Sequence, residues 1–172
     1  SRHSESLMRF IRGMLGRDSA YADDAYQDTW IKAIDNSGKW KGGSFKAWLT
    51  VIARNTVIDI FRRTKPTLSL DEENKSGVAF VENVTDAGRI PGEALASEET
   101  ERLVAEEVMA LPESQREVFL MRVEQDMSFK EIAETLDIPL NTALGRMHYA
   151  TRKLRAALSE KLEGYHLPET GE

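Results

Sequence analysis

The sequence predicts an all-α protein, made of two small helical domains joined by a flexible linker, with a helix-turn-helix in the C-terminal domain. Apolar residues recur at helical spacing in long stretches at both ends of the chain. That spacing is lost in between, where prolines, glycines and acidic residues accumulate. We therefore expect a first domain at 1–65, a linker at 66–93 and a second domain with a C-terminal tail at 94–172.

The composition narrows the class of protein. The 172 residues are 41% hydrophobic, carry a net charge of -6 and include no cysteine, which excludes disulfide scaffolds, thiolate metal sites and cysteine nucleophiles. The amphipathic start of the chain is too short and too charged to span a bilayer. We expect a cytoplasmic protein without membrane insertion.

The first domain opens with two amphipathic helices. The first has a stripe for burial, formed by Leu7, Phe10, Ile11, Met14 and Leu15. The second runs over about 19–35, and its predicted buried face consists of Tyr21, Ala22, Ala25, Tyr26, Thr29, Trp30, Ala33 and Ile34. The opposite face carries Asp23, Asp24, Gln27, Asp28 and Lys32. It is either an acidic surface for a basic protein partner or a solvated face.

A third helix, capped by Ser44, is predicted to be basic on its outer side. Its inner side consists of Phe45, Trp48, Leu49, Ile52, Ala53, Ile60 and Phe61, and its outer side of Arg54, Asn55, Asp59, Arg62 and Arg63. The stretch from Lys39 to Lys65 contains seven cations and a single acid, Asp59. Asn55 and Asp59 stand one turn apart and can offer hydrogen bonds to one base edge, while Trp40 can stack on a base. Plain surface polarity, with Trp40 covering the core, has about equal weight.

The predicted linker contains two apolar clusters, formed by Leu68 with Leu70 and by Val78, Phe80 and Val81. We expect them to pack loosely on the protein's own domains rather than to dock a partner.

The helix-turn-helix prediction depends on two adjoining amphipathic patterns. The first helix would bury Phe129, Ile132, Ala133 and Leu136, and the run Asp137, Ile138 and Pro139 would end it. The second would bury Ala143, Met147, Ala150, Leu154 and Leu158. From Leu140 to Leu158 the chain has four cations and no acid, in an otherwise acidic protein. That pattern favours phosphate contact over a plain helical hairpin.

Three stretches in this order resemble the bacterial sigma-70 family, specifically the extracytoplasmic-function, or group four, sigma factors. DDAYQDTWIKAI and FKAWLTVIARNTVIDIFRR resemble its region 2, and the stretch from LPESQREVFLM to HYATRKLR resembles its region 4. The resemblance implies an alternative sigma factor, which binds bacterial core RNA polymerase, confers promoter recognition and aids promoter melting in transcription initiation. It implies an anti-sigma factor as a partner, no enzyme activity, no cofactor and no metal.

By position, the resemblance also assigns site residues. The surface for the polymerase clamp would be Asp24, Gln27, Asp28 and Trp30. The reader of the minus-ten element would be Trp40, Lys41, Asn55, Asp59, Arg62 and Arg63. The reader of the minus-thirty-five duplex would be Asn141, Thr142, Arg146, His148, Tyr149, Arg152 and Lys153, with Arg146 as the first choice.

The chain departs from the family pattern in the recognition helix. Where the family often has Val, a cation and Ser, this chain has Ala143, Leu144 and Gly145. Gly145 costs up to about 1 kcal/mol in helix propensity, and Leu144 offers an apolar contact instead of a charge. We expect an altered or weakened duplex reader, and an exposed Leu144 that an anti-sigma factor can touch.

Other classes remain open at this point. A sigma-like decoy that sequesters an anti-sigma factor would share the fold, but it would have no need for the cations on both helices. A helix-turn-helix repressor would not need the acidic, Gln-containing second helix, and the sequence shows no coiled-coil signal for dimerisation. An enzyme is the weakest class, because His3, His148 and His166 are isolated in sequence and no phosphate-binding glycine loop occurs.

Overall fold

The structure, a computed structural model, describes residues 2–64 and 98–163. Seven α-helices and two short 3-10 helices, Gly16–Tyr21 and Ser37–Lys39, make up these two parts, which contain no strand. The α-helices are α1 Arg2–Leu15, α2 Ala22–Asp35, α3 Phe45–Thr64, α4 Glu98–Ala110, α5 Glu113–Val123, α6 Phe129–Leu136 and α7 Leu140–Glu163. The expected linker, with its two apolar clusters, lies outside the described residues. None of the described helices is long and apolar enough to cross a bilayer.

Helices α1, α2 and α3 pack against one another and form the N-terminal unit. The buried stripe of α1 is confirmed: Leu7, Phe10, Ile11, Met14 and Leu15 are all buried. Gly16 follows with a φ of 58°, a left-handed conformation that glycine adopts without steric cost. The chain turns there into the 3-10 helix that leads to α2.

The buried face of α2 is narrower than the sequence predicted. Its buried residues are Ala22, Ala25, Thr29 and Ala33, a seam of small side chains that lets neighbouring helices approach closely. The prediction that Tyr21 and Ile34 are buried was wrong, because they are 41% and 69% exposed. Tyr21 belongs to the 3-10 helix, whose repeat differs from that of α2, and Ile34 projects beside the narrow seam.

Ser44 caps α3 as predicted, since its Oγ accepts a hydrogen bond from the Ala47 backbone N–H at 3.1 Å. Leu49, Ala53 and Ile60 are buried. Phe45 is 44% exposed, against the prediction. It is the first residue of the helix, and its ring packs against those of Trp40 and Trp48 rather than into the core.

Helices α6 and α7 form the predicted helix-turn-helix and pack on α5. Ser128 begins α6 with a capping box: its Oγ accepts from the Glu131 N–H, and the Glu131 carboxylate accepts from the Ser128 N–H. Asp137, with a φ of 53°, ends it. The predicted core positions are buried at Ile132, Ala133, Ala143, Met147, Ala150 and Leu154, and half-buried at Phe129, Leu136 and Leu158.

The N-terminal unit packs directly on the C-terminal unit, α4 to α7. Helix α1 contacts α5 and, less extensively, α4, and the buried apolar residues of both units form one contiguous cluster. At the crossing, a Cβ added to Gly13 would lie 2.7 Å and 2.8 Å from the two methyl carbons of Leu120. The periodicity of each helix predicts an inner face but not which distant helix covers it, so this packing is a finding of the structure.

Candidate nucleic-acid interface

The outer face of α3 carries a row of polar side chains. Asn55, Arg62 and Arg63 are exposed, and Asp59 is half-buried. Their spacing of four, seven and eight residues places them along one side of the helix. The Arg63 Nε also donates to the backbone carbonyl of Asp59 at 3.3 Å. The structure therefore presents an amide, a carboxylate and two guanidinium groups on one side of the helix, as the sequence predicted.

Asp59 has a partner that sequence reasoning missed. Lys32 Nζ, from α2, lies 3.2 Å from Asp59 Oδ2 and also donates to Thr56 Oγ1 at 3.2 Å. Helical spacing predicted Lys32 on the outer face of α2, and only the packing of α2 on α3 brings the two side chains together. One carboxylate oxygen of Asp59 is thus engaged, while about half of the side chain stays exposed.

An aromatic cluster precedes this row. The ring of Trp40 packs edge to face on Phe45 at 5.8 Å, and Phe45 lies 5.6 Å from Trp48. Together with Trp30 and Ile34, these rings line an open, almost wholly apolar hollow of about 170 Å³. Trp40 itself is 41% exposed, so it is not a closed lid on the core. The next residue, Lys41, is exposed.

The aromatic hollow and the polar row lie at different levels of α3. Phe45 and Asn55 are ten residues apart in one helix, which corresponds to roughly 15 Å along its axis. The predicted minus-ten residues thus separate into Trp40 and Lys41 near the start of α3, and Asn55 to Arg63 further along it.

Three of the four predicted polymerase-binding residues share a groove. Asp24 and Gln27 are exposed and Asp28 is half-buried. Together they line a shallow groove of about 390 Å³ between α2 and the end of α3, where Arg63 is also a lining residue. Trp30 is not part of this groove. It is half-buried, packs edge to face on Tyr26 at 6.3 Å, and faces the aromatic hollow.

The predicted duplex-reading residues of α7 differ in exposure. Asn141, Arg152 and Lys153 are exposed, whereas Thr142, Arg146, His148 and Tyr149 are half-buried. The His148 and Tyr149 rings meet edge to face at 5.8 Å. The exposed cations among the predicted residues, Arg152 and Lys153, therefore lie in the middle of α7, and Arg146 is less accessible than its first-choice role suggested.

The departures in the recognition helix have a structural explanation. Gly145 is buried and Leu144 is half-buried. Position 145 therefore faces the protein rather than a duplex, in a helix that packs against α5 and α6. The expectation of an exposed Leu144 is wrong. Because position 145 is buried, its glycine affects the packing of α7 more directly than it affects contact with DNA.

The sequence did not predict an ion pair that joins the N-terminal and C-terminal units. Arg54, placed by the sequence on the outer side of α3, donates from Nε to Oε1 of Glu117 on α5. Burial raises the pKa of the Glu117 carboxyl, and the cations Arg54 and Arg146 partly offset that rise. The only sequence signal for Glu117 was an acid flanked by the apolar run Val118 to Met121, and it did not specify a partner 63 residues away.

Comparison with known proteins identifies the family of the chain. Residues 1–67 match the family model for Sigma-70 region 2, and residues 101–154 match that for Sigma-70, region 4. The ECF RNA polymerase sigma factor SigW of Bacillus subtilis is 30% identical over 161 residues, covering 92% of this chain and 86% of SigW. The chain belongs to the sigma-70 family. The ECF RNA polymerase sigma factor SigL of Mycobacterium tuberculosis, 29% identical over 92% of this chain and 85% of its own, agrees with the ECF branch of that family.

Solved structures agree with the all-α fold of this sigma-70 family member. The sigma factor RpoE of Bartonella quintana, in complex with the anti-sigma factor NepR, superposes with a TM-score of 0.68 at 22% identity, covering 91% of this chain and 92% of that one. CnrH in complex with the cytosolic domain of CnrY gives a TM-score of 0.61 at 26% identity, covering 92% and 84%.

Proposed function

We propose that this chain is an alternative sigma factor that binds bacterial core RNA polymerase, confers promoter recognition and aids promoter melting. The observation that carries the proposal is the polar row of α3, in which Asn55, Arg62 and Arg63 are exposed beside a groove with acidic residues. This row lies within the part of the chain that matches region 2. Two adjacent exposed arginines give this end of α3 a local positive charge in an otherwise acidic protein, which suits contact with phosphate.

The groove of α2 is the proposed polymerase contact. Asp24 and Gln27 are exposed at its edge and Asp28 lines it. Carboxylates beside an amide suit a basic helix of a partner, through charge-assisted hydrogen bonds. Trp30 faces the other side, where it packs on Tyr26 and lines the aromatic hollow.

The proposed minus-ten reader combines stacking with edge recognition. The apolar hollow beside Trp40 has a volume of about 170 Å³, and stacking on an aromatic side chain contributes about 1–3 kcal/mol per base. Lys41, Arg62 and Arg63 are placed for phosphates, while Asn55 and Asp59 offer hydrogen-bonding groups. Such contacts offset the few kcal/mol that unstacking a base costs.

The proposed minus-thirty-five reader is α7. Arg152 and Lys153 are exposed cations for phosphates, and Asn141 and Thr142 lie in its first turn, where backbone N–H groups also attract phosphate. His148, Tyr149 and Arg146 are the half-buried candidates for base contact.

An anti-sigma factor is a proposed partner, since RpoE of Bartonella quintana, which has a similar fold, is bound to the anti-sigma factor NepR in its solved structure. A subunit of RNA polymerase works where the polymerase does, and we expect this chain in the cytoplasm. The decoy alternative differs from the active factor in one respect only, because a decoy would bind an anti-sigma factor but initiate no transcription.

Run-off transcription with purified bacterial core polymerase on a promoter library tests the proposal. The wild-type chain should give selective initiation, and Asn55→Ala and Arg152→Ala should each reduce it. Arg102→Ala, which removes an exposed arginine of α4, is the matched control and should have no effect. Binding to core without initiation on any promoter would favour the decoy, and no binding to core would contradict the proposal.

A further inference from the structure

We propose that Leu140 and Leu144, in the first two turns of α7, contact C5-methyl groups of thymine in the minus-thirty-five duplex and so determine its sequence preference. This inference rests on the proposed function and names the chemical group that α7 reads. The chain would select thymine by apolar contact, where an arginine or lysine in this place would select guanine.

The first support is the position of Leu140. It is the first residue of α7, and it is 47% exposed. A helix-turn-helix lays its second helix in the major groove, so that the N-terminal residues of that helix meet the base edges. A leucine that stays exposed at this point therefore faces the place where a base pair would lie.

Leu144 extends the same apolar edge. It follows Leu140 by four residues, so the two side chains are neighbours along one side of α7. Leu144 is half-buried, which leaves part of its side chain accessible. Residues 140–145 include no cation. The end of α7 at which base readout takes place is therefore apolar rather than basic.

The second support is the position of the cations. Arg152 lies twelve residues after Leu140 in the same helix, which is roughly 18 Å along its axis. Arg152 and Lys153 are exposed and suit phosphates, but phosphate contacts carry no sequence information directly. Arg146 is half-buried, and its charge opposes the rise in the pKa of the buried Glu117 carboxyl on α5. The exposed cations thus leave base readout to the first turns.

Thymine is the base that suits an aliphatic side chain. Its C5-methyl group is an apolar feature of the major groove, whereas cytosine presents an amino donor there and guanine two acceptors. Leucine has no hydrogen-bonding side chain, so covering those polar groups would leave them without a partner and would cost affinity. Contact with a methyl group instead removes apolar surface from water, which raises affinity about fourfold for each methyl group.

Replacing thymine by deoxyuridine tests the inference, because it removes the methyl group and keeps every hydrogen-bonding group of the base pair. The probe is the promoter fragment that the run-off library selects, with deoxyuridine at the thymines of its upstream element. Competition binding by the holoenzyme of this chain and core polymerase gives the ratio of affinities for the thymine and uracil fragments. The ratio should be about sixteen for the wild type, about four for Leu140→Ala and about one for Leu140→Ala with Leu144→Ala.

Asn141→Ala is the matched control on the same turn, because it removes an exposed polar side chain. It should weaken binding to both fragments equally and keep the wild-type ratio. Deoxyuridine in the spacer between the two promoter elements should change nothing. Uracil also alters the stiffness of DNA, but that effect is common to the wild type and the leucine variants, so the difference between them isolates the methyl contact.

The outcomes separate the two proposals. A wild-type ratio near one, or a wild-type ratio that persists in a folded Leu140→Ala chain, would overturn the methyl contact and leave the sigma-factor function intact. An upstream element selected without thymine would do the same. Failure of the wild-type chain to initiate from any promoter with core polymerase would overturn the proposed function, and the methyl contact with it.

Discussion

Lys32 and Asp59 join the outer faces of two helices. The Lys32 Nζ lies 3.2 Å from Asp59 Oδ2, and the two side chains are 40% and 49% exposed. In the proposed function, α2 contacts the polymerase and α3 contacts DNA, so this pair lies at the boundary between the two surfaces. A change of charge at either residue therefore alters both surfaces.

Removing the pair should change stability little. Exposed ion pairs typically contribute about 0.2–1 kcal/mol, because water screens them and ordering two side chains costs entropy. We expect a coupling energy below about 1 kcal/mol in a double-mutant cycle of Lys32→Ala and Asp59→Ala, measured by urea denaturation. A coupling above about 2 kcal/mol would contradict this interpretation of the pair.

The capping box of α6 should contribute measurably to stability. Ser128→Ala removes the side-chain acceptor for the Glu131 N–H, and loss of such a cap costs about 1 kcal/mol. Thermal or urea denaturation measures it. Lys130→Ala, at an exposed position of the same helix, serves as the control and should stay within about 0.5 kcal/mol.

The free energy of unfolding should fall further as more side-chain volume is removed from the core of the helix-turn-helix. Ile132 is fully buried, so Ile132→Val should cost about 0.5–1.5 kcal/mol and Ile132→Ala about 2–5 kcal/mol. Val123, 48% exposed at the end of α5, provides a control with Val123→Ala. Equal effects of the two Ile132 variants would show that the site collapses around the smaller side chain.

Glu117 should make stability depend on pH in an unusual direction. Burial raises its pKa above the ordinary value of 4.5, with Glu113 adding to the rise and Arg54 and Arg146 opposing it. The folded chain then holds a proton that the unfolded chain has released, so this contribution is fully present below pH 4.5 and is lost as pH rises through the raised pKa.

Glu117→Gln tests that direction, because the amide has the same shape and does not titrate. The difference in unfolding free energy, wild type minus Glu117→Gln, should fall as pH rises from about 4.5. The wild-type chain gaining stability relative to Glu117→Gln over the same range would mean that the ion pair with Arg54 outweighs the cost of burial.

The sequence predicted what depends on one helix at a time. The stripe of α1, from Leu7 to Leu15, and the core positions of the helix-turn-helix follow from a period of 3.6 residues, and all are buried or half-buried. Periodicity failed at helix ends, as at Phe45, where a side chain can turn toward a neighbouring loop.

Partners across helices could not be predicted in the same way. Arg54 and Asn55 are adjacent on what the sequence presents as one polar face, yet Arg54 binds Glu117 of the other unit and Asn55 is exposed. Only the packing of α1 on α5, which brings Glu117 within reach of α3, decides which of the two is covered. The assignment of site residues to polymerase or DNA therefore stays a prediction.

The close approach at Gly13 has an evolutionary consequence. Every glycine codon becomes an alanine codon by one base substitution, and at Gly13 that substitution would add a methyl group 2.7 Å and 2.8 Å from the methyl carbons of Leu120, so that the Leu120 side chain must shift. A lineage could therefore alter the packing between the N-terminal and C-terminal units in a single mutational step, without changing any residue proposed to contact promoter or polymerase.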